Sequence, residues 1–459
     1  MELPEKFKDN MQKLLGKDYE KYLASFSLAP KRAVRVNHNF ISDSDFEKIF
    51  PYKVKKIDGL DGAYTLETDE KLGNTVFHHA GMIYLQEPSS MLAATALEVD
   101  DGDFVCDLCS APGGKASQIL DKNRSGVIVC NEFVRPRANV LFSNIERQGF
   151  KNAIITTLDT SILAENFANY FDKILVDAPC SGEGMFRKEP DTISEWNEGL
   201  PQFNSQRQLE ILANADKMLK QGGILVYSTC TFNLIENELV VARFCENYGY
   251  KICDMPERLR KNAKNGFDIA KFGYRTYKNA DTTKCARCFP QGGFGEGQFI
   301  AKLQKISENN NENYKQKSNF DKISNNEMLL IKDFLRHTIG KTDFEFYKIK
   351  DDIFISEKPL PNVSKGVVGY GVKLGTIVKN RIEPFHQFFK AYGNQFKNKV
   401  ELTDEKDIKN YLYGNEIDID KNTSGLMAVT YHGAVLGGGK AVQGKLKNYY
   451  PKGLRNNKI

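Results

Sequence analysis

Apolar residues recur at helical spacing near the start of the chain. Phe7, Met11, Leu14, Leu15, Tyr22 and Leu23 fall on one stripe between Leu3 and Phe26, which predicts a helix. Residues 31–36, Lys-Arg-Ala-Val-Arg-Val, alternate basic and apolar side chains and predict a half-solvated strand with cations on one face. From residue 100 to 305 short apolar runs alternate with amphipathic stretches. Strands are predicted over 103–108, 127–131, 153–157, 172–176, 224–228, 250–254 and 298–304, and helices over 115–122, 135–148, 205–220 and 235–248. Runs such as Lys173-Ile-Leu-Val176 and Gly223-Ile-Leu-Val-Tyr227 have no polar face, as expected of strands covered on both sides. This alternation predicts an α/β fold, a doubly wound Rossmann-like sheet with right-handed crossovers and a ligand site beyond the carboxyl ends of the strands.

The pattern breaks at 306–327, a polar, Asn-rich stretch that is expected to be a linker. It recovers from 328 into a small α+β domain. That domain ends in the Gly-rich, basic segment 437–455, and no acidic residue follows Asp420. The expected division is therefore an N-terminal α+β region over 1–95, the doubly wound domain over 96–305, the linker, and a C-terminal α+β domain over 328–459. A chain cut near 306 is expected to keep ligand binding in its doubly wound part.

Composition narrows the class. The chain has 459 residues, 41% hydrophobic and 27% charged, which excludes collagen, dominant disorder and a disulfide-rich miniprotein. No apolar run reaches the roughly 18 residues of a membrane span, so no membrane association is expected. The first ten residues have no apolar signal region, so a cytoplasmic protein with reduced thiols is expected. Lys and Arg number 64 against 59 Asp and Glu, a mild bias compatible with a polyanionic partner. The nine cysteines include two Cys-x-x-Cys pairs, Cys106/Cys109 and Cys285/Cys288. Together they have the makings of a four-thiolate zinc site. Cys106, however, falls inside a strand where a small buried hydrophobe is the commoner use, so no metal is expected.

Three strand ends carry candidate chemistry. The first is Asp107-Leu-Cys-Ser-Ala-Pro-Gly-Gly-Lys115, a strand-to-helix turn. Ser110, Ala111, Gly113 and Gly114 allow close backbone approach, and a helix N-terminus offers free N–H groups. The turn matches neither a P-loop nor a dinucleotide fingerprint, which leaves an adenosyl ligand without a long phosphate chain. Glu132 ends the next strand at the spacing of a ribose-binding acid, and Asp159 ends the third, in reach of an adenine amino group. The second site is Asp177-Ala-Pro-Cys180 and the third Ser228-Thr-Cys230, so two thiols leave the sheet at one edge.

In order and spacing, Asp107–Lys115, Asp177-Ala-Pro-Cys-Ser-Gly-Glu-Gly184 and Ser228-Thr-Cys230 resemble motifs of the Nop/Sun family of S-adenosylmethionine-dependent RNA cytosine-5 methyltransferases. Residues 84–91 (Tyr-Leu-Gln-Glu-Pro-Ser-Ser-Met), 186–190, Ile235-Glu-Asn-Glu238, 287–291 and 295–301 extend the resemblance through residue 305. The C-terminal domain, with residues 447–455, is similar to the RNA-binding extension of the bacterial RsmF-like branch, a PUA-like domain. Ser110 and Gln291 depart from the family pattern, where Ala and His are common.

The resemblance implies roles. Cys109, Ser110, Ala111, Pro112, Gly113, Gly114 and Lys115 line the donor S-adenosyl-L-methionine. Glu132 holds its ribose, Asp159 its adenine, Arg137 joins the same site, and Asp177 lies between donor and base. Cys230 is the nucleophile, and Cys180 assists product release. The implied product is 5-methylcytosine in RNA, with 16S ribosomal RNA or the small ribosomal subunit as partner and a monomeric enzyme. A transfer-RNA methyltransferase and a non-catalytic ribosome-assembly factor are the alternatives. Lys31, Arg32, Arg35, Arg135, Arg137, Arg147 and the tail lysines are candidates for phosphate contacts, and Tyr449 and Tyr450 for base stacking.

Overall fold

The computed structural model describes residues 3–307, 320–363 and 365–455. Its centre is a ten-stranded sheet built from β1 (Phe104–Asp107), β2 (Val127–Asn131), β3 (Ala153–Thr156), β4 (Phe171–Asp177), β5 (Leu219–Thr229), β6 (Tyr250–Ile252), β7 (Lys264–Asn265), β8 (Ala286–Cys288), β9 (Gln298–Lys305) and β10 (Val367–Tyr370). The order is β7-β8-β9-β5-β4-β1-β2-β3-β10, with β6 paired to β9. The five strands β3-β2-β1-β4-β5 are parallel. They alternate with α1 (Gly114–Lys122), α2 (Arg135–Arg147), α3 (Thr160–Asn166), α4 (Leu200–Met218) and, after β5, α5 (Glu238–Tyr248). Helices cover both faces. Ile128 packs into one hydrophobic cluster and its neighbour Val129 into the other, both fully buried. Each such side chain contributes about 1.5–3 kcal/mol by leaving water. The chain reverses its winding direction between β1 and β4, so their carboxyl ends splay into a crevice.

The N-terminal region opens on two helices and continues into an antiparallel sheet, with further helices at Asp43–Ile49, Val76–His79 and Pro88–Ala96. The expected helix is split at Gly16, whose φ of +52° breaks it into Glu5–Leu15 and Tyr19–Ser25. The sheet runs Val54–Lys56, Ala63–Leu66, Ala33–Val36, Ile83–Leu85. Ala33–Val36 is its second inner strand and is buried along its whole length, not half-solvated. Arg35 therefore faces protein. It donates to the Ser117 hydroxyl at 2.5 Å and to the Gly114 carbonyl at 3.3 Å, tying this region to α1.

The C-terminal part holds a four-stranded sheet, 345–384, and a five-stranded sheet, 399–448. Most of the expected linker, 308–319, lies outside the described residues. Its last residues are instead the start of the helix Asn325–Thr338, capped reciprocally by Ser324 and Glu327. The expected boundary also does not separate the sheets. β10, from beyond residue 328, adds antiparallel to the β3 edge, and the Thr157 N–H donates to the Gly366 carbonyl at 2.8 Å. Tyr370 of β10 is fully buried in the same cluster as Ile154. Lys390, on the helix His386–Tyr392, donates to the Ala80 carbonyl at 2.8 Å and to the Val435 carbonyl, joining the first and last regions. Among the described residues no helix is long and apolar enough to cross a membrane.

Candidate active site

The β1–α1 turn opens the crevice. Ser110 donates its N–H to the Asn131 carbonyl at 2.9 Å and its hydroxyl to the Asp107 carbonyl at 2.8 Å, which binds the turn to β2. Gly113 has φ +110°, a conformation that favours glycine, and a Cβ at Gly114 would press on the side chains of Gln86 and Tyr84 at 3.2 Å. Asp107 lies beneath the turn with both carboxylate oxygens buried and unpartnered. Burial first, and the charge of Asp177 second, push its pKa up to about 7.

Cys109, Ala111, Glu132, Arg137, Asp159, Asp177, Cys180 and Cys230 all line one cleft of ≈ 420 Å³ at the β1/β4 crevice. Ser110 is buried in the turn, and Pro112, Gly113, Gly114 and Lys115 carry it into α1. Glu132 is buried, accepts from the Val134 N–H at 2.9 Å and stands 3.4 Å from the exposed Arg137, which also donates to the Ala111 carbonyl at 3.2 Å. Asp159 caps α3, accepting from the Ser161 hydroxyl at 2.6 Å and from the Ser161 N–H at 2.9 Å, which together hold its pKa below the usual carboxylate range.

Asp177 ends β4 at the floor of this cleft. Lys115 Nζ contacts its Oδ2 at 2.7 Å, while its Oδ1 accepts from the Ser228 hydroxyl at 2.7 Å and from Gln298 at 3.2 Å. The ion pair with Asp177 outweighs burial and keeps the Lys115 pKa raised. Three residues on, past Pro179, Cys180 places its sulfur 3.3 Å from that of Cys230. The contact with Cys230 and burial push the Cys180 thiol well up, so it stays protonated.

A buried polar cluster, unforeseen in the sequence, backs the thiols. Glu236 is fully buried and accepts from Ser181, Asn233 and Gln208. Glu183 accepts from the Phe232 and Asn233 N–H groups, both at 3.0 Å. The Gly184 N–H donates to the Cys230 carbonyl at 2.7 Å, and a Cβ at Gly184 would strike that oxygen. Two buried ion pairs, Arg187–Glu296 and Arg287–Glu238, brace the surrounding loops. Three carboxylates, Glu183, Glu236 and Glu238, within otherwise apolar or turn segments were the available signal for this cluster.

The expected cationic and aromatic contacts divide. Arg35 and Arg147 are buried, Arg147 donating to the His78 carbonyl at 2.6 Å, and so both are withdrawn from phosphate contact. Arg32 donates to the carbonyls of Thr68 and Glu70. Lys31, Arg135, Arg137, Lys440, Lys447 and Lys452 are exposed. Tyr450 is buried against His79, leaving Tyr449 exposed. Cys106, Cys109 and Cys285 pack with one hydrophobic cluster and Cys288 with the other, and among the described residues no group of three or more His, Cys, Asp or Glu side chains is gathered so as to hold a metal ion. Gln291 buries its side-chain amide without a partner.

Known proteins resemble the chain along its length. The family model of 16S rRNA methyltransferase RsmB/F matches residues 94–304. The N-terminal domain of 16S rRNA methyltransferase RsmF matches 3–88, and the methyltransferase RsmF PUA domain 390–456. Ribosomal RNA small subunit methyltransferase F of Vibrio campbellii is 31% identical over 99% of this chain and 98% of its own length. Its counterpart in Shewanella oneidensis is 31% identical over 96% of this chain and 94% of its own. A solved methyltransferase homologue from Pyrococcus horikoshii superposes with a TM-score of 0.58 at 28% identity, covering 66% of this chain and 95% of that one. Matched along its whole length in sequence, and at its core in structure, the chain belongs to the RsmB/F family of 16S rRNA methyltransferases.

Proposed function

We propose that this methyltransferase transfers a methyl group from S-adenosylmethionine to carbon 5 of a cytosine in 16S ribosomal RNA, through a covalent adduct of the base with Cys230. The observation that carries the reading is the pair of thiols 3.3 Å apart in the cleft that also holds Asp177. The residues fit the donor. Asp107 offers two buried, unpartnered carboxylate oxygens to a cationic ligand, and Glu132 is a buried acid at ribose spacing. When bound, the sulfonium donor supplies an electrophilic methyl group.

Carbon 5 of cytosine is a weak nucleophile. Addition of the Cys230 thiolate to carbon 6 turns the ring into an enamine that attacks through carbon 5. Asp177, fixed by Lys115, Ser228 and Gln298, hydrogen-bonds or protonates ring N3 as charge develops. A water molecule entering the cleft then takes the carbon 5 proton, and the electrons of that C–H bond re-form the carbon 5–carbon 6 double bond. The carbon 6–sulfur bond breaks with Cys230 leaving as the thiolate, and any proton on N3 returns to Asp177. Cys180, held as a thiol beside Cys230, donates its S–H to the departing sulfur and organises this release. The target base must leave any helix it occupies, at a cost of a few kcal/mol.

The full-length relatives named for the small ribosomal subunit support ribosomal RNA as the substrate. Bisulfite mapping of ribosomal and transfer RNA from cells with and without the gene tests it. A 16S cytosine that loses its mark with the gene is the expected result. Loss confined to transfer RNA, or no loss, overturns the assignment.

A further inference from the structure

We infer that Glu236 is a positioning residue that holds Cys180 in place for product release, while Cys230 is anchored independently of it. This rests on the division of labour between the thiols given above. The Glu236 carboxylate is fully buried and lies outside the cleft lining, so it touches no reacting atom. Its Oε1 accepts from the Ser181 N–H at 2.9 Å and from Gln208 Nε2 at 3.0 Å. Its Oε2 accepts from the Ser181 hydroxyl and from Asn233 at 2.7 Å. Gln208 Nε2 also donates to the Pro179 carbonyl at 2.9 Å. The residues on both sides of Cys180 are thus tied to one carboxylate, directly or through Gln208.

Cys230 has other anchors. Its own carbonyl accepts from the Gly184 N–H, and the following Phe232 and Asn233 N–H groups are held by Glu183. The Thr231 hydroxyl meets the Glu236 cluster through Ser181 at 2.7 Å and Asn233 at 2.9 Å, and its carbonyl accepts from Asn237 at 3.0 Å. Loss of the Glu236 carboxylate therefore frees the Pro179–Ser181 loop first. Addition of Cys230 to carbon 6 and the first methylation continue, and expulsion of Cys230 slows. A carboxylate with a merely structural role would lower attack and release together. Glu236→Gln is the conservative rescue, because its amide oxygen keeps accepting from the Ser181 N–H and from Gln208, and the Ser181 hydroxyl can accept from its amide nitrogen.

The test compares Cys180→Ala, Glu236→Ala, Glu236→Gln and Gln208→Met in the full chain with substrate RNA and labelled donor. Single-turnover methylation, multiple turnover and RNA adduct on a denaturing gel are read for each. Glu236→Ala and Gln208→Met are expected to keep the single turnover, to slow later turnovers by roughly ten- to a hundredfold, the scale of an ångström misplacement, and to accumulate adduct as Cys180→Ala does. Glu236→Gln is expected to recover most of that loss. Adduct in Cys180→Ala with none in Gln208→Met or Glu236→Ala overturns the inference, as does a parallel fall in attack and release. No adduct in Cys180→Ala overturns the reading of Cys180 itself. Should Glu236→Ala not fold, Gln208→Met carries the same test, because it cuts the Pro179 tie at nearly equal volume.

Discussion

The sulfur atoms of Cys180 and Cys230 stand 3.3 Å apart, although 50 residues separate them in the chain. They meet because β4 and β5 are parallel neighbours in register, Asp177 beside Ser228, and each thiol lies just beyond its strand's carboxyl end. The pairing puts a protonated thiol against the proposed nucleophile, and puts both in one cleft with Asp177.

Glu132 should matter for donor binding specifically. Replacing it by Ala is expected to weaken S-adenosylhomocysteine by about 1.5–3 kcal/mol, the worth of a hydrogen bond to a charged group. Calorimetry checks this, with NAD and ATP as controls that should not bind. Unchanged affinity would place the ribose elsewhere.

Truncation near residue 306 should now damage the catalytic sheet, against the expectation from the sequence. It would bare the β3 edge and remove Leu360, Val363 and Tyr370 from the cluster that covers Ile154. Loss of cover is worth about 1.5–3 kcal/mol per large side chain, so a clear drop in melting temperature is expected. A truncated chain as stable as the whole would show that β10 is dispensable.

Lys440 and Lys447 face each other across the last hairpin, both exposed. Like charges directly opposite on paired strands repel, and a polyanion relieves the repulsion. Changing both to Glu is expected to weaken RNA binding and to lower the slope of log affinity against log salt by about 1 per lysine. An unaltered slope would remove this hairpin from the RNA interface.

Acid should loosen the junction between the first and last regions. Burial pulls His78 to about 2, His79 to about 4 and His386 to about 3. The unfolded chain protonates each near 6.5, so it binds more protons than the folded one between those values, and stability falls as pH drops through this window. Glu146 acts oppositely. Burial raises it to about 7, so its contribution is full below its unfolded value and is lost as pH rises through 7. His386 has an unpartnered Nδ1, so His386→Phe should flatten the acid side of a stability–pH profile. An identical profile in the variant would contradict this.

The sheet was legible because β1–β5 are short apolar runs with turns at regular intervals, and periodicity reports burial directly. The thiols and Asp177 were legible because strand ends in such a sheet converge. What periodicity does not carry is which polar residue is buried. Arg35 and Arg147 have the spacing of surface cations, and only the packing of three regions around them puts them inside. The cross-sheet strand β10 was invisible for a related reason. Val367–Tyr370 has the same local pattern as any short strand, and its partner β3 lies more than two hundred residues earlier. Glu236 lies in the motif Ile235–Glu238, and the sequence does not carry the distant partners Ser181 and Gln208 that, with Asn233, surround its carboxylate.

The most direct measurement is a denaturing gel of Cys230→Ala and Cys180→Ala after incubation with substrate RNA and donor. Cys230→Ala is expected to give neither methylation nor adduct, and Cys180→Ala to methylate once and remain attached to the RNA. The reverse pattern, adduct in Cys230→Ala and none in Cys180→Ala, would make the β4 cysteine the nucleophile and contradict the proposed chemistry.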